Sequence, residues 1–303
     1  MSQGRSIRLF LVDGSPTGLL TAEIMNWTGH VLSGPRSKLS ELVKRAEVAR
    51  PGVYFLVGPN PENSFKPLVY IGETDDVGKR LQQHNKPEDK GGKDFWEKVC
   101  LVTSKDQNLT KGHVKHLESL LILKAKAVGR CELLNGQSVD YASLPEADLA
   151  DMAFFDEQIR TVLPVLGFDF LRDQGKASSE AGTSVQRSPR FTLTIAKHGI
   201  EASGEEVDGE FYVLAGSRAR DHWSSSHHSY RALYEQLTED SVLVADAEGR
   251  THFARDQVFS SPSAAAAVVA GQPMNGRTSW RVAGTGQTYG QWQDEQVSGV
   301  TAT

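Results

Sequence analysis

The sequence predicts an α+β protein in two parts: a small mixed or antiparallel sheet with helices around it, then a separate small α+β module. Three observations carry this reading. Runs rich in Val, Ile, Tyr and Phe alternate with segments whose apolar residues recur every three or four positions, so strands and helices are interleaved. Residues 173–189 are rich in Ser, Gly and Ala with no large apolar residue besides Val185, the composition of a flexible linker. The 303 residues, 39% hydrophobic and 23% charged, suffice for about two ordinary cores. The expected organisation is an N-terminal extension over 1–50, a main domain over 51–172, the linker, a second domain over 190–293 and a polar tail over 294–303.

Taken in order, Ile7–Val12 and Thr21–Leu32 read as strands separated by the Gly14-Ser15-Pro16 turn. Ser37 caps a helix near Lys38–Val48, where Leu39, Leu42, Val43 and Ala46 share one face, and Pro51-Gly52 stops it. Strands at Gly52–Gly58 and Leu68–Gly72 form an antiparallel hairpin, its long connection stiffened by Pro59, Pro61 and Pro67. Thr74, Asp75 and Asp76 open a helix over Val77–Asn85, because acids favour a first turn. A polar loop (Lys86–Lys93) leads to a third strand, Trp96–Ser104. A long helix then starts at Asn108 or Thr110 and ends near Val128, with more helix at Glu146–Leu163. Beyond the linker, strands are expected at Phe191–Ala196, Phe211–Ala215, Val242–Ala245, Thr251–Phe253 and around Trp280. Helices are expected at Tyr230–Thr238 and over the alanine-rich Ser263–Ala270, with a frayed tail after Trp292.

Composition excludes several classes. Two cysteines, Cys100 and Cys131, form neither a zinc site alone nor a disulfide framework, and read as reduced, buried small hydrophobes. The first apolar run is short, contains Arg8 and ends in Asp13-Gly14, unlike a secretory signal. No window approaches the roughly 20 apolar residues of a membrane helix, so a cytoplasmic protein is expected. The net charge is −5, but residues 76–130 hold 12 Lys/Arg against 7 acids, whereas 140–170 hold one Arg against seven acids. A local basic face suits phosphate binding, and a solvated mixed-charge surface explains the count equally well.

The long helix carries the most informative residue. Val114, Leu117, Leu121, Ala125 and Val128 define a buried stripe, and Glu118 lies inside it. An ionised carboxylate there costs several kcal/mol unless paired or coordinated, so it is a metal ligand or one half of a core salt bridge. The helix alone leans slightly to the salt bridge. Upstream, Gly52-Val53-Tyr54 opens one strand and Tyr70-Ile71-Gly72 closes the next, with the tyrosines 16 positions apart. Arg80 and His84 then sit one helical turn apart on one face.

These residues, with Glu118 in the next long helix and Asn135 beyond it, resemble in order the GIY-YIG nuclease superfamily over about residues 50–137. Val53 for isoleucine is the only departure in the name-giving tripeptides, and the Leu81-to-His84 ending is also similar to family members. The resemblance implies a divalent-metal-dependent endonuclease acting on nucleic acid, most readily DNA. It implies Glu118 as the single protein ligand of Mg²⁺ or Mn²⁺, Arg80 as phosphate clamp, Tyr54 as general base and Tyr70 as the group orienting water or phosphate. Asn135 would hold the tyrosine or arginine geometry, and the metal, Arg80 and a hydrogen bond from Tyr70 or His84 would lower the Tyr54 pKa. Tyrosines at the rim of ordinary strands, and His84 as a surface histidine, are the plainer readings of the same residues.

Lys79, Lys105, Lys111 and Lys115 are candidate contacts to a nucleic-acid backbone, and His113 and His116 are expected to be solvated. His227-His228 lacks further ligands and reads as a polar turn, and Gly284-Thr285-Gly286 does not sit between a strand and a helix as a dinucleotide loop must. The second domain resembles a C-terminal module of unknown function found behind GIY-YIG nucleases, on Val258–Ala267, Asn275-Gly276 and Trp280. Its partner is open. One small active site cuts one strand, so double-strand cleavage requires a homodimer or two nicks. The alternative is a catalytically silent nucleic-acid-binding or regulatory protein of the same fold, against which the complete residue set speaks.

Overall fold

Alternate side chains of a strand face opposite ways, and in Gly52–Gly58 both sets are buried: Val53 and Phe55 on one face, Tyr54 and Leu56 on the other. Such a strand belongs inside a sheet covered on both sides. The computed structural model places it there. Residues 4–63, 66–106, 108–136, 144–172, 188–207, 209–225 and 229–299 are described. The expected linker, except its last two residues, and His227-His228 lie outside them. The chain divides at residues 173 and 174 into two compact units.

The first unit contains β1 (Ile7–Leu11), β2 (Leu20–Ile24), β3 (Gly29–Pro35), α1 (Leu39–Leu42), β4 (Gly52–Gly58), β5 (Leu68–Thr74), α2 (Val77–His84), β6 (Lys98–Ser104), α3 (Lys111–Val128), β7 (Glu132–Leu133) and α4 (Glu146–Val162). Seven strands form one sheet in the order β1-β2-β3-β6-β4-β5-β7. All pair antiparallel except β5 with β7, which is parallel and covers only Leu68 and Val69. The far half of β5 is therefore an open edge. One face packs α3 and α4 through Leu117, Leu121, Phe155 and Ile159. The other packs α1 and α2 through Leu39, Leu42, Val77 and Leu81.

Three expectations are corrected in the N-terminal segment. Thr21–Leu32 is two strands, β2 and β3, because the chain reverses at Asn26 (φ 64), a left-handed position that Asn tolerates. That reversal lets Trp27 bury against Phe155, ring centroids 5.0 Å apart. The strands do not stand as a separate two-stranded element either, since β3 pairs with β6 along its whole length. The helix expected over Lys38–Val48, with Ser37 as its cap, is broken into a 3-10 turn at Arg36–Lys38, the single turn of α1, and a second 3-10 turn at Ala46–Ala49. At the break Arg45 is extended, and its guanidinium meets Glu47, which also reaches His30. The turn delivers Val48 into the core against Gly78.

The caps of the two helices at the site follow from sequence. The Asp76 carboxylate accepts the Lys79 N–H at the start of α2, and Thr110 forms a capping box with His113 at the start of α3.

The second unit contains β8 (Phe191–Ile195), β9 (Ile200–Val207), β10 (Glu210–Val213), α5 (Ser229–Glu239), β11 (Leu243–Ala245), β12 (Thr251–Phe253), β13 (Gln257–Phe259), α6 (Pro262–Ala270), α7 (Gly276–Ser279), β14 (Arg281–Val282) and α8 (Tyr289–Gly299). Five strands form an antiparallel sheet, β13-β10-β9-β8-β14, with β11 and β12 as a separate pair. The fully buried α6 packs on it. The expectations omitted β9, whose inward Ala202 and Gly204 give little apolar alternation; Gly204 is needed because a side chain would strike Tyr212 O and the Phe211 ring. The strand expected at Trp280 begins one residue later, and α8 carries helix to Gly299 through the expected polar tail. No helix among the described residues is long and apolar enough to cross a membrane.

Candidate active site

Register brings the two tripeptides together. Tyr54 lies opposite Gly72 across β4 and β5, and its ring passes directly over that glycine: an added Cβ would fall 2.3 Å from the Tyr54 hydroxyl. Gly52 meets the same kind of limit from Val102 O, at 2.5 Å. Both glycines thus serve close approach, not a special φ. With Tyr54 wholly buried, Gly72→Ala is expected to overpack the site and cost about 1–3 kcal/mol. Urea denaturation checks this, and an unchanged midpoint would mean that the ring moves freely.

The Tyr54 hydroxyl is the hub. It lies 2.8 Å from His84 Nε2, and Arg80 Nε donates to it at 3.3 Å. Arg80 thus supplies a donor to the hydroxyl, and His84 Nε2 shares a second hydrogen bond with it. The Tyr70 ring stands 6.2 Å from that of Tyr54 and 5.4 Å from His84, and the Lys93 ammonium lies 4.2 Å above it. Arg80 Nη1 donates to Gln83 Oε1 at 2.6 Å.

Electrostatics divide these groups. Burial, and then the neighbouring Tyr70, push the Tyr54 pKa up, while the Arg80 guanidinium pulls the other way. Burial, then Arg80 and Lys93, push His84 down to about 4, so it is neutral near pH 7 and a weak base. His84 is therefore no surface histidine; it is 3% exposed. Its folded pKa lies below the unfolded value, so the stability it contributes is present above about pH 6.5 and lost as pH falls towards 4. Wild type is expected to lose about 3 kcal/mol relative to His84→Gln across that window, measurable by denaturation at stepped pH; parallel curves would contradict a buried neutral imidazole.

Glu118 approaches the open edge of β5 from the α3 side. Burial and the Glu73 carboxylate raise its pKa, while the Glu73 backbone amide, Lys111 and Arg80 oppose them. The core salt bridge weighed from the helix alone is not formed: Glu118 has no ion pair among the described residues. Glu73 instead takes Lys111, at 2.6 Å. The site thus wraps one strand edge, with Tyr54, Tyr70, Arg80 and His84 on one face and Glu118, Glu73 and Lys111 on the other.

Asn135 directs its hydrogen bonds to the backbone next to Tyr70, not to a tyrosine or arginine side chain among the described residues. Its Oδ1 accepts the Ile71 N–H at 3.0 Å and its Nδ2 donates to Ile71 O at 2.6 Å. It extends the pairing of β5 where β7 ends, and so holds the backbone between Tyr70 and Gly72. Lys79 is exposed and pairs with Asp76, and Lys105 pairs with Glu23. Lys115 is exposed. His113 and His116 are partly buried and not freely solvated: His113 caps α3 and meets Asp148 at 3.3 Å, and His116 Nδ1 is buried. Sequence reasoning missed Glu73 and Lys93. Adjacency of Glu73 to Gly72 was a usable signal; nothing local marks Lys93, which reaches Tyr70 from the loop after α2.

Among the described residues no group of three or more His, Cys, Asp or Glu is placed to hold a metal. The donor set still fits a hard divalent cation, since Glu118 is a half-buried carboxylate beside a second one and makes no ion pair among the described residues. Comparison with known proteins agrees with this geometry. Residues 51–129 match the GIY-YIG catalytic domain, and residues 191–293 match a domain of unknown function, DUF4357. A stretch of 78 residues is 33% identical to the structure-specific endonuclease subunit SLX1 homolog of Caenorhabditis elegans, covering 24% of this chain and 18% of that protein. No solved structure matches. The chain therefore carries a GIY-YIG catalytic domain at 51–129 with a DUF4357 domain C-terminal to it at 191–293, which supports a nuclease.

Proposed function

We propose that this protein is a divalent-metal-dependent endonuclease that hydrolyses phosphodiester bonds in DNA. The observation that supports it best is the Tyr54 hydroxyl held between Arg80 Nε and His84 Nε2, at a strand edge that also receives the half-buried Glu118 carboxylate.

In this reading Tyr54, once its own proton is lost to solvent, takes the proton of the attacking water as a phenolate, and neutral His84 at 2.8 Å holds the phenolic oxygen in place. Arg80 stabilises the phenolate through Nε and turns its remaining N–H groups to phosphate oxygens, its planar fork matching two of them. Tyr70 orients the water or phosphate. Glu118 would hold Mg²⁺ or Mn²⁺, with water and phosphate oxygens completing the shell. When bound, the ion neutralises charge on the phosphate and the leaving oxygen. Lys79, Lys105, Lys111 and Lys115 would contact the backbone, three of them by exchanging a carboxylate partner for a phosphate. One site nicks one strand, so double-strand cleavage calls for a homodimer or two events. The SLX1 homolog is named a structure-specific endonuclease subunit, which makes branched duplexes substrates worth testing and a protein partner a natural addition.

One observation favours the silent, binding-only alternative: burial leaves Tyr54 firmly protonated without substrate and cation. A supercoiled plasmid decides. Wild type is expected to nick it with Mg²⁺ or Mn²⁺ and not in EDTA, and Arg80→Ala to lose about 10²–10³-fold in rate. Failure on plasmid, RNA and branched duplex alike would leave the binding reading.

A further inference from the structure

Across residues 191–293 acids outnumber Lys and Arg, 12 against 8, so the second unit as a whole repels a phosphate backbone. One part of its surface departs from that balance. The segment after β10 is threaded between three elements: the N–H groups of Arg218, Ala219 and Arg220 donate to Glu201 O, Thr251 O and Val269 O. Its backbone is thereby satisfied and fixed. Ala219 is wholly buried, and alternation puts Arg218 and Arg220 on the opposite side to it.

Neither guanidinium is saturated. Arg220 Nη1 reaches Ser224 Oγ at 3.1 Å and Gln272 Oε1 at 3.4 Å, and Arg218 Nη2 lies 3.9 Å from Asp221. The Nε groups of both are buried with no acceptor among the described residues. Lys197 and His198, from the turn between β8 and β9, lie close enough that His198 is pushed down by burial and then by Arg220, Lys197 and His222. Asp221 lies among these bases, but its Oδ1 is occupied by the Thr251 N–H at 2.8 Å.

We propose that Lys197, His198, Arg218, Arg220 and His222 form a binding site for the phosphodiester backbone of nucleic acid, built into the DUF4357 unit. Partly exposed guanidinium forks with spare N–H groups, held on a fixed backbone beside further bases, fit an anion with several acceptor atoms. The choice of a nucleic-acid backbone rests on the nuclease reading. Because both units lie on one chain, contact through the second raises the effective concentration of DNA at the first. A local cluster on an acidic domain gives a few directed contacts in place of general coating.

The test uses the full chain in a Glu118→Gln background, which separates binding from cutting. Fluorescence anisotropy of a labelled duplex, read over a series of salt concentrations, gives affinity and its salt dependence. Removing one cation that neutralises a phosphate lowers the logarithmic slope by about 0.9. Arg218→Ala/Arg220→Ala is expected to weaken binding about tenfold or more and to lower the slope by about 1–2. Lys197→Glu/His222→Glu changes only exposed side chains and is expected to do the same, which covers the case in which the arginine pair perturbs folding. Unchanged affinity and slope in the second variant, or no duplex binding by the parent, overturns the proposal. Failure of the nuclease reading shows separately, as an unnicked plasmid with wild type.

Discussion

Glu118→Gln is expected to leave a folded protein that has lost cleavage by roughly 10³-fold, the equivalent of several kcal/mol of transition-state stabilisation. The structure makes the folding half of this expectation as sharp as the catalytic half. Glu118 sits half-buried, with the Glu73 carboxylate opposing its charge and no ion pair of its own among the described residues. Its folded pKa is therefore above the unfolded one, and the stability it contributes is present below the unfolded value and lost as pH rises through the folded one. At pH 7 the ionised carboxylate is a burden, so the amide is expected to melt at the same temperature or higher. Mg²⁺ is expected to raise the melting temperature of wild type and much less that of the variant, because only wild type offers the charged carboxylate ligand. A variant that melts far lower would return Glu118 to the role of a core ion pair and remove the metal reading with it.

Tyr54→Phe is expected to cost 10²–10⁴ in cleavage rate, the usual worth of a positioned general base. It also removes the acceptor of Arg80 Nε and the hydrogen-bond partner of His84 Nε2, so a stability loss of about 1–3 kcal/mol accompanies it. The pH profile separates the two effects. Burial raises the Tyr54 pKa, so wild-type cleavage should climb about tenfold per pH unit over the range where the phenolate is the minor form. His84, at about 4, stays neutral there and adds no second limb. Residual activity of Tyr54→Phe should be nearly flat over the same range. A variant that keeps the wild-type slope would mean that another group takes the proton and that Tyr54 is packing alone.

Much of this was legible beforehand, and for identifiable reasons. Asp76 and Thr110 act within three residues to cap α2 and α3, and the stripe of α3 repeats every three or four positions, so local rules suffice. The Tyr54–Gly72 pairing was also accessible, since two strands joined by one connection have few antiparallel registers. The helix expected over Lys38–Val48 was not, because its apolar spacing was outweighed by the Arg45–Glu47–His30 contacts and the burial of Val48. The second domain's β9 was hidden by the small residues its close packing needs.

The sequence by itself placed the candidate groups Tyr54, Tyr70, Arg80, His84 and Glu118 on strands and helices whose local periods are plain, and their order is what resembles the GIY-YIG family. Only the tertiary structure decided that Asn135 grips Ile71 and not a tyrosine or arginine, that Glu73 and Lys93 join the site, and that the N-terminal strands extend the same sheet through β3 and β6. Those relations depend on which strand edge is left open and which loop crosses it. They arise between groups brought together by packing, where no local period or cap encodes them.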